Sequence, residues 1–287
     1  MTDPFYSVEH TGERREQSRY VWFLNGTFDR INFEQAYLRI SSVPKRQSFR
    51  FVVTPNVDHL VRMQKEPGWI RMLYADAWLT VCDSRVLELI GWLSGEKIDV
   101  TPGSDLTQKL FETAIDPNEP VVVIGASAQV IDAVTERYGL KDVRWYEPPM
   151  GLRKNLKAVQ QCADFVANNP ARFTFFCLGS PQQEMVAKAC LCRGDCEGVG
   201  LCVGASLDFL AGKVERAPKW MQRARVEWLH RLLSEPKRMW KRYLVTGPKI
   251  AFVWWEWRKA QKQMRRLEKL VASGAFSPKD LTEQLKP

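Results

Sequence analysis

The sequence holds no apolar stretch approaching the roughly 20 residues that a bilayer-spanning helix needs. Its longest purely apolar runs include IAFVWW at 250–255 and VVVIGA at 121–126, so no transmembrane helix is expected. The opening MTDPFYSVEHTGERREQ lacks the basic start and apolar stretch of a secretory signal, and a cytoplasmic location is the expectation. Neither GxGxxG nor GxxxxGK(S/T) occurs, which argues against dinucleotide oxidoreduction and P-loop phosphoryl transfer. Histidine is scarce: His10, His59 and His230 form no Ser/His/Asp pattern with a nucleophile elbow, and His59 and His230 read as packing or helix-surface residues. No internal repeat of constant period and no low-complexity linker is found.

What is present fits a globular chain. With 287 residues, 45% hydrophobic and 26% charged, there is room for one large α/β domain or two small ones. The seven cysteines are an odd number, and Cys177 and Cys202 lie inside apolar runs where free thiols act as small hydrophobes, which fits a reducing compartment. The cluster CLCRGDC (Cys190, Cys192, Cys196) has neither paired CxxC spacing nor a nearby histidine, so no metal is expected there. The net charge of +9 is unevenly placed: from Lys213 to Lys269, 17 Lys or Arg stand against 5 Glu, and six of the eleven tryptophans lie in the same region. A basic, aromatic region suits nucleic acid, an anionic membrane surface or a phosphorylated substrate.

Up to about residue 212 one theme recurs: an apolar β-rich run, a cluster of small or polar residues, then a helix-like stretch. FRFVV leads to TPNVDH (49–59), AWLTV to CDSR (77–85), VVVIG to ASAQ (121–129), VRWYE to PPMG (143–151), FTFFCLG to SPQQE (173–184) and GLCVG to ASLDF (200–209). Alternating strands and helices predict an α/β core with a mainly parallel sheet covered on both faces. Helices are expected over 57–74, 84–94, 103–115, 127–138, 153–168 and 181–192, with Ser104 or Asp105 and Ser127 as N-caps and Gly139 as a C-terminal stop. After Gly212 strand signals vanish, giving a core over 1–212 and a helical, basic appendage over 213–287.

Ligands in such sheets bind at the carboxyl ends of the strands. Asp83 ends one apolar run, where its carboxylate serves as a base in a cleft or as the N-cap of the next helix. Thr54 and Asn56 end the neighbouring strand and suit hydrogen bonds to a sugar or nucleotide, or turn chemistry around Pro55. Gln182, Gln183 and Glu184 follow Gly179-Ser180-Pro181 at a helix start, offering amides and backbone N–H groups to a ligand, or capping the helix. Gly125-Ala126-Ser127 and Gly204-Ala205-Ser206 are small strand-end turns that admit a ligand to the backbone. Further on, Arg216, Arg231, Arg238, Lys241 and Arg242 are placed to clamp a diphosphate or to form a solvated basic face.

These pieces together resemble the WecG/TagA/CpsF family of bacterial glycosyltransferases. The match runs in order through TPNVDHL (54–60), the AD…CDSR element (75–85), TPGSDL (101–106), LGSPQQE (178–184), VGASLDFLAG (203–212) and RAPKW…VEWLHRL…EPKR (216–238). The resemblance implies a Rossmann-like core that passes a sugar from a UDP-sugar, with inversion, to an acceptor on a polyprenyl diphosphate. It implies Asp83 as general base, Thr54 and Asn56 in the sugar pocket and Gln183 in the PxQE element. It also implies that Arg231 and Arg238 sit in an appendage that closes over the site and brings the enzyme to the inner face of the cytoplasmic membrane. Two positions depart from the family pattern: Asp83-Ser84 stands where Asp-Gly is usual, and the arginine common near Val100 is missing, with Lys97 or Arg85 as candidate substitutes. The chain has no DxD motif. Arginines folding in from the tail would then absorb the charge of the departing UDP, so metal-independent, cofactor-free catalysis is expected.

Within the tail, Ile250, Val253, Trp257, Ala260, Met264, Leu267 and Val271 recur at steps of three and four, forming one apolar stripe on a helix. With its basic remainder, the stripe suits a helix lying in the membrane interface, with packing on the protein's own body or against another copy as alternatives. A homo-oligomer is compatible with such apolar faces. The competing classes are a nucleic-acid-binding protein, which would bind RNA or DNA tightly and in a salt-dependent way, and a catalytically inert membrane scaffold.

Overall fold

The structure, a computed structural model, describes residues 19–213, 218, 221, 227–234 and 236–273. It opens with a hairpin, β1 (Tyr20–Phe23) and β2 (Gly26–Asp29), followed by α1 (Phe33–Ser41). The central segment runs β3 (Arg50–Val53), α2 (Val57–Lys65), α3 (Pro67–Ala75), β4 (Leu79–Thr80), α4 (Arg85–Leu93) and α5 (Gly103–Thr113). There follow β5 (Val121–Gly125), α6 (Ala128–Tyr138), β6 (Val143–Tyr146), α7 (Leu156–Asn168), β7 (Phe173–Cys177), α8 (Gln182–Arg193), β8 (Val199–Cys202) and α9 (Ser206–Leu210). The tail contributes α10 (Glu227–Ser234), α11 (Pro236–Trp240), a π-helical turn (Lys241–Thr246) and α12 (Lys249–Ala272).

Six strands form one sheet in the order β4-β3-β8-β7-β5-β6, and every neighbouring pair is parallel. They are the six strands expected from the sequence, and the fold is α/β with helices on both faces. Near-continuous apolar runs are what such a sheet requires, because successive side chains alternate between two buried faces. Val121 and Val123 pack with α1, α5, α6 and α9 on one side, while Val122 and Ile124 pack with α7 and α8 on the other. Gly200 is forced by this packing: a Cβ there would come within 2.6 Å of both Phe176 and Phe49, whose rings meet edge to face.

Several local expectations change. The helix expected over 57–74 is two, because Pro67 at the first position of α3 has no N–H to continue the α2 ladder. α5 starts at Gly103 behind Pro102 with no side-chain cap, so neither Ser104 nor Asp105 caps it. Ser127 holds the N-cap position of α6 without a side-chain cap bond, while Gly139, at φ +64°, ends that helix as expected. Of the clustered cysteines, Cys190 and Cys196 are buried and Cys192 faces solvent.

The hairpin covers the sheet edge. Buried Asp29 accepts the Thr80 N–H of edge strand β4 (2.9 Å) and pairs with Arg19 (3.2 Å), so the exposed ladder finds partners within the chain. Behind the hairpin lies a third apolar cluster, joining Phe23, Leu24 and Phe28 to Leu60 of α2, Ile70 of α3, Leu87 and Ile90 of α4, and Ile250, Val253 and Trp257 of α12. The expectation that the whole α12 stripe lies on a membrane is thereby corrected. Its first three members are buried against the protein's own body, and Trp257 meets Phe23 edge to face at 5.1 Å.

Candidate active site

All six strands point the same way, so the loops after β3, β4, β8, β7 and β5 share one edge of the sheet. The loop after β3 is pinned from two sides. Thr54 donates its hydroxyl to the Cys202 carbonyl at the end of β8 (3.1 Å), and Gly103 packs so closely that a Cβ there would lie 3.3 Å from that hydroxyl. Asn56 caps α2: its side chain accepts the Asp58 N–H (3.1 Å), and its own N–H donates to His59 Nδ1 (2.9 Å). His59 is therefore the reciprocal member of a capping box. Both Thr54 and Asn56 are more than nine-tenths buried.

Asp83 lies beside this loop, its N–H donating to the Pro55 carbonyl (3.0 Å). The neighbouring chain is fixed by a parallel bridge between Cys82 and Val100 and by Thr101 N–H to the Cys82 carbonyl (2.8 Å). The N-cap of α4 is Ser84, whose Oγ accepts the Leu87 N–H (3.3 Å). Capping therefore falls to the residue that replaces the usual glycine, and Asp83 sits just before the helix, half-buried at the sheet edge. The candidate substitutes for the missing arginine are each engaged with a neighbour, Lys97 with Asp99 (3.8 Å) and Arg85 with Glu88 (3.4 Å).

Across the sheet, Gln183 and Glu184 point inward, with 4% and 1% of their surface exposed. Gln183 accepts the Gly204 N–H (2.9 Å) and donates to Glu184 (2.9 Å). Glu184 also accepts from the Tyr74 hydroxyl (3.0 Å), which lies 3.3 Å from the Ser180 hydroxyl. Arg62 completes the chain, donating to the Ser180 carbonyl and to Asp58 (2.5 Å), whose own N–H is held by Asn56. One polar network thus ties together the loops after β3, β7 and β8. Ser180 belongs to the LGSPQQE element, but Arg62 and Tyr74 carry no signal in the sequence, since Tyr74 and Glu184 are 110 positions apart.

Burial pushes the Glu184 carboxyl above its ordinary range, opposed by the hydrogen bonds from Gln183, Ser180 and Tyr74. Burial, then the charge of Glu184, likewise raises the Tyr74 phenol well above its usual value. A carboxyl raised in the folded state favours the fold at low pH, and that contribution is lost as pH rises through the raised value. Glu184→Gln is therefore expected to lose stability relative to wild type at pH 5 and to recover part of the difference at pH 8. Denaturant midpoints at the two pH values check this; a difference independent of pH would contradict it.

Arg216 lies outside the described residues, and the side chains of Arg231 in α10 and Arg238 in α11 lie outside the described part as well. The site residues that the sheet does bring to one edge are Thr54, Asn56, Asp83, Gln183 and Glu184, the last two as buried supports of the Gly204 loop. A parallel sheet with such an edge defines the class of α/β enzymes that bind their ligands beyond the strand ends. A family model described as "Glycosyl transferase WecG/TagA/CpsF family" matches residues 21–264, and the chain belongs to that family. Its members are glycosyltransferases, a class of enzyme that acts on a sugar donor and an acceptor.

Proposed function

We propose that the protein transfers a sugar from a UDP-sugar to a polyprenyl-diphosphate-linked acceptor, with inversion, in bacterial cell-surface or exopolysaccharide synthesis. Asp83 takes the proton of the acceptor hydroxyl as that oxygen bonds to the anomeric carbon. The bond to UDP breaks on the opposite face, and its electron pair leaves with the diphosphate. Thr54 and Asn56 border the sugar. Gln183 and Glu184 hold the Gly204 turn against which the donor rests. Arg216, Arg231 and Arg238 close over the diphosphate and offset its growing charge, in place of a divalent cation.

The observation that carries this reading is the position of Asp83 on the sheet edge, next to Pro55, with helix capping held by Ser84. The tail acts as an appendage that completes the site and holds the enzyme peripherally on the cytoplasmic membrane. Among the described residues no helix is long and apolar enough to cross a membrane, and Leu233, Trp240 and Leu244 are exposed in the tail.

A panel of UDP-sugars assayed with a polyprenyl-diphosphate-linked acceptor, with and without EDTA, tests the proposal. Transfer from one donor that survives EDTA is expected. Transfer that EDTA abolishes would overturn the metal-independent mechanism, and no transfer from any UDP-sugar would overturn the donor class.

A further inference from the structure

Two surfaces meet beside the third apolar cluster. On α4, Leu87, Ile90 and Gly91 face inward, while on the opposite side Val86, Leu89, Trp92 and Leu93 are all exposed, Trp92 by 72%, with Arg85 as the one charged residue among them. At helical periodicity these four fall within an arc of roughly 120°. On α12, the residues from Val253 to Leu270 include six cations, Arg258, Lys259, Lys262, Arg265, Arg266 and Lys269. They too fall within an arc of roughly 120°, and both glutamates of that segment, Glu256 and Glu268, lie outside it. The cationic arc lines a groove of about 900 Å³ whose other wall is Leu93 and Ser94 at the end of α4. Leu93 therefore belongs to both surfaces. Trp254 locks the junction by donating its indole N–H to Ser94 (2.8 Å).

Two of the cations are held by tryptophan rings. Arg258 lies over the Trp254 ring (5.2 Å to its centre) and Lys259 over Trp255 (3.5 Å). Trp255, half-exposed, also pairs with exposed Phe252, so an aromatic rim borders the charge.

We infer that the apolar face of α4 and the cationic arc of α12 together form one docking surface for a bilayer containing anionic lipid. An exposed aromatic and aliphatic strip enters the headgroup boundary while the cations meet lipid phosphates, and no acid within the arc opposes them. The inference rests on the proposed membrane-linked function and deepens it. The catalytic body itself, through α4, touches the bilayer, so the helix that begins beside Asp83 ends at the membrane surface.

The test uses the full chain and vesicles of phosphatidylcholine alone or mixed with phosphatidylglycerol, with no turnover involved. Wild type is expected to bind the anionic vesicles in a salt-sensitive way and to ignore the neutral ones. The double variant Leu89→Ser/Trp92→Ser, whose side chains leave the core untouched, is expected to bind about tenfold or more weakly. Lys262→Glu/Arg265→Glu is expected to weaken binding by roughly a hundredfold. Trp22→Ser, on the exposed side of the hairpin, should bind as wild type does. Wild-type affinity in the α4 variant would overturn the inference while leaving a tail-only membrane contact. Equal binding to both vesicle types would overturn the role of the cations. Binding to neither overturns it outright, as does the same surface holding an oligonucleotide or a second copy of the chain instead. None of these outcomes bears on whether a UDP-sugar is consumed.

Discussion

Replacing Asp83 by Asn is expected to lower sugar transfer by about 10²- to 10⁴-fold, the usual contribution of a positioned general base. Affinity for the UDP-sugar should hold, because the amide keeps the shape of the carboxylate and the backbone bond from Asp83 N–H to Pro55 is untouched. The fold should survive too, since Ser84 and not Asp83 caps α4. Ser84→Ala provides the contrast. It is expected to cost about 1 kcal/mol of stability through the lost cap and to leave turnover near wild type. Initial rates and donor titrations on both variants check the pair. A large rate loss in Ser84→Ala together with a small one in Asp83→Asn would move the chemistry away from Asp83.

The second large effect concerns the tail. Trp257 is 9% exposed, sits in the cluster with Phe23 and Leu60, and lies one turn beyond buried Val253. Truncating it to Ala is expected to cost roughly 3–5 kcal/mol, as for other buried aromatic residues. The melting temperature should fall by about 10 °C. Trp255→Ala, two positions away but half-exposed, should stay within about 0.5 kcal/mol of wild type. Thermal melts of the two proteins distinguish an α12 that is part of the body from one that merely trails it. Equal melts would contradict the packing. The same packing bears on removal of the tail after residue 212: such a protein would expose the partners of Ile250, Val253 and Trp257 and should lose stability as well as activity.

The sheet was legible in the sequence because each strand lies in a mostly apolar, β-rich run closed by small or polar residues, as VVVIG before Ala126 and Ser127 shows. Asp83, Thr54 and Asn56 were legible as site candidates for the same reason, since strand ends converge in a parallel sheet. The N-terminal hairpin was not. Its two turn residues, Leu24 and Asn25, both take positive φ; the Asn25-Gly26 pair is a hairpin signal, but it points one residue past the actual turn, whose first position is a leucine. Burial of Leu24 under the third cluster compensates for the backbone it must adopt. The support beneath the site was equally hidden, because Gln183 reaching Gly204 and Tyr74 reaching Glu184 are contacts of the folded chain alone. For α12 the periodicity revealed an apolar stripe but could not say what covers it. What covers it is the hairpin together with α2, a contact of the folded chain alone.

The central claim is a single displacement at the anomeric carbon with Asp83 as its base, and the configuration of the product tests it most directly. Carbon–proton coupling at the new anomeric centre, measured by NMR on product formed from an α-linked UDP-sugar, should report a β linkage. An α linkage would mean two successive displacements or front-side attack, and would contradict the role given to Asp83.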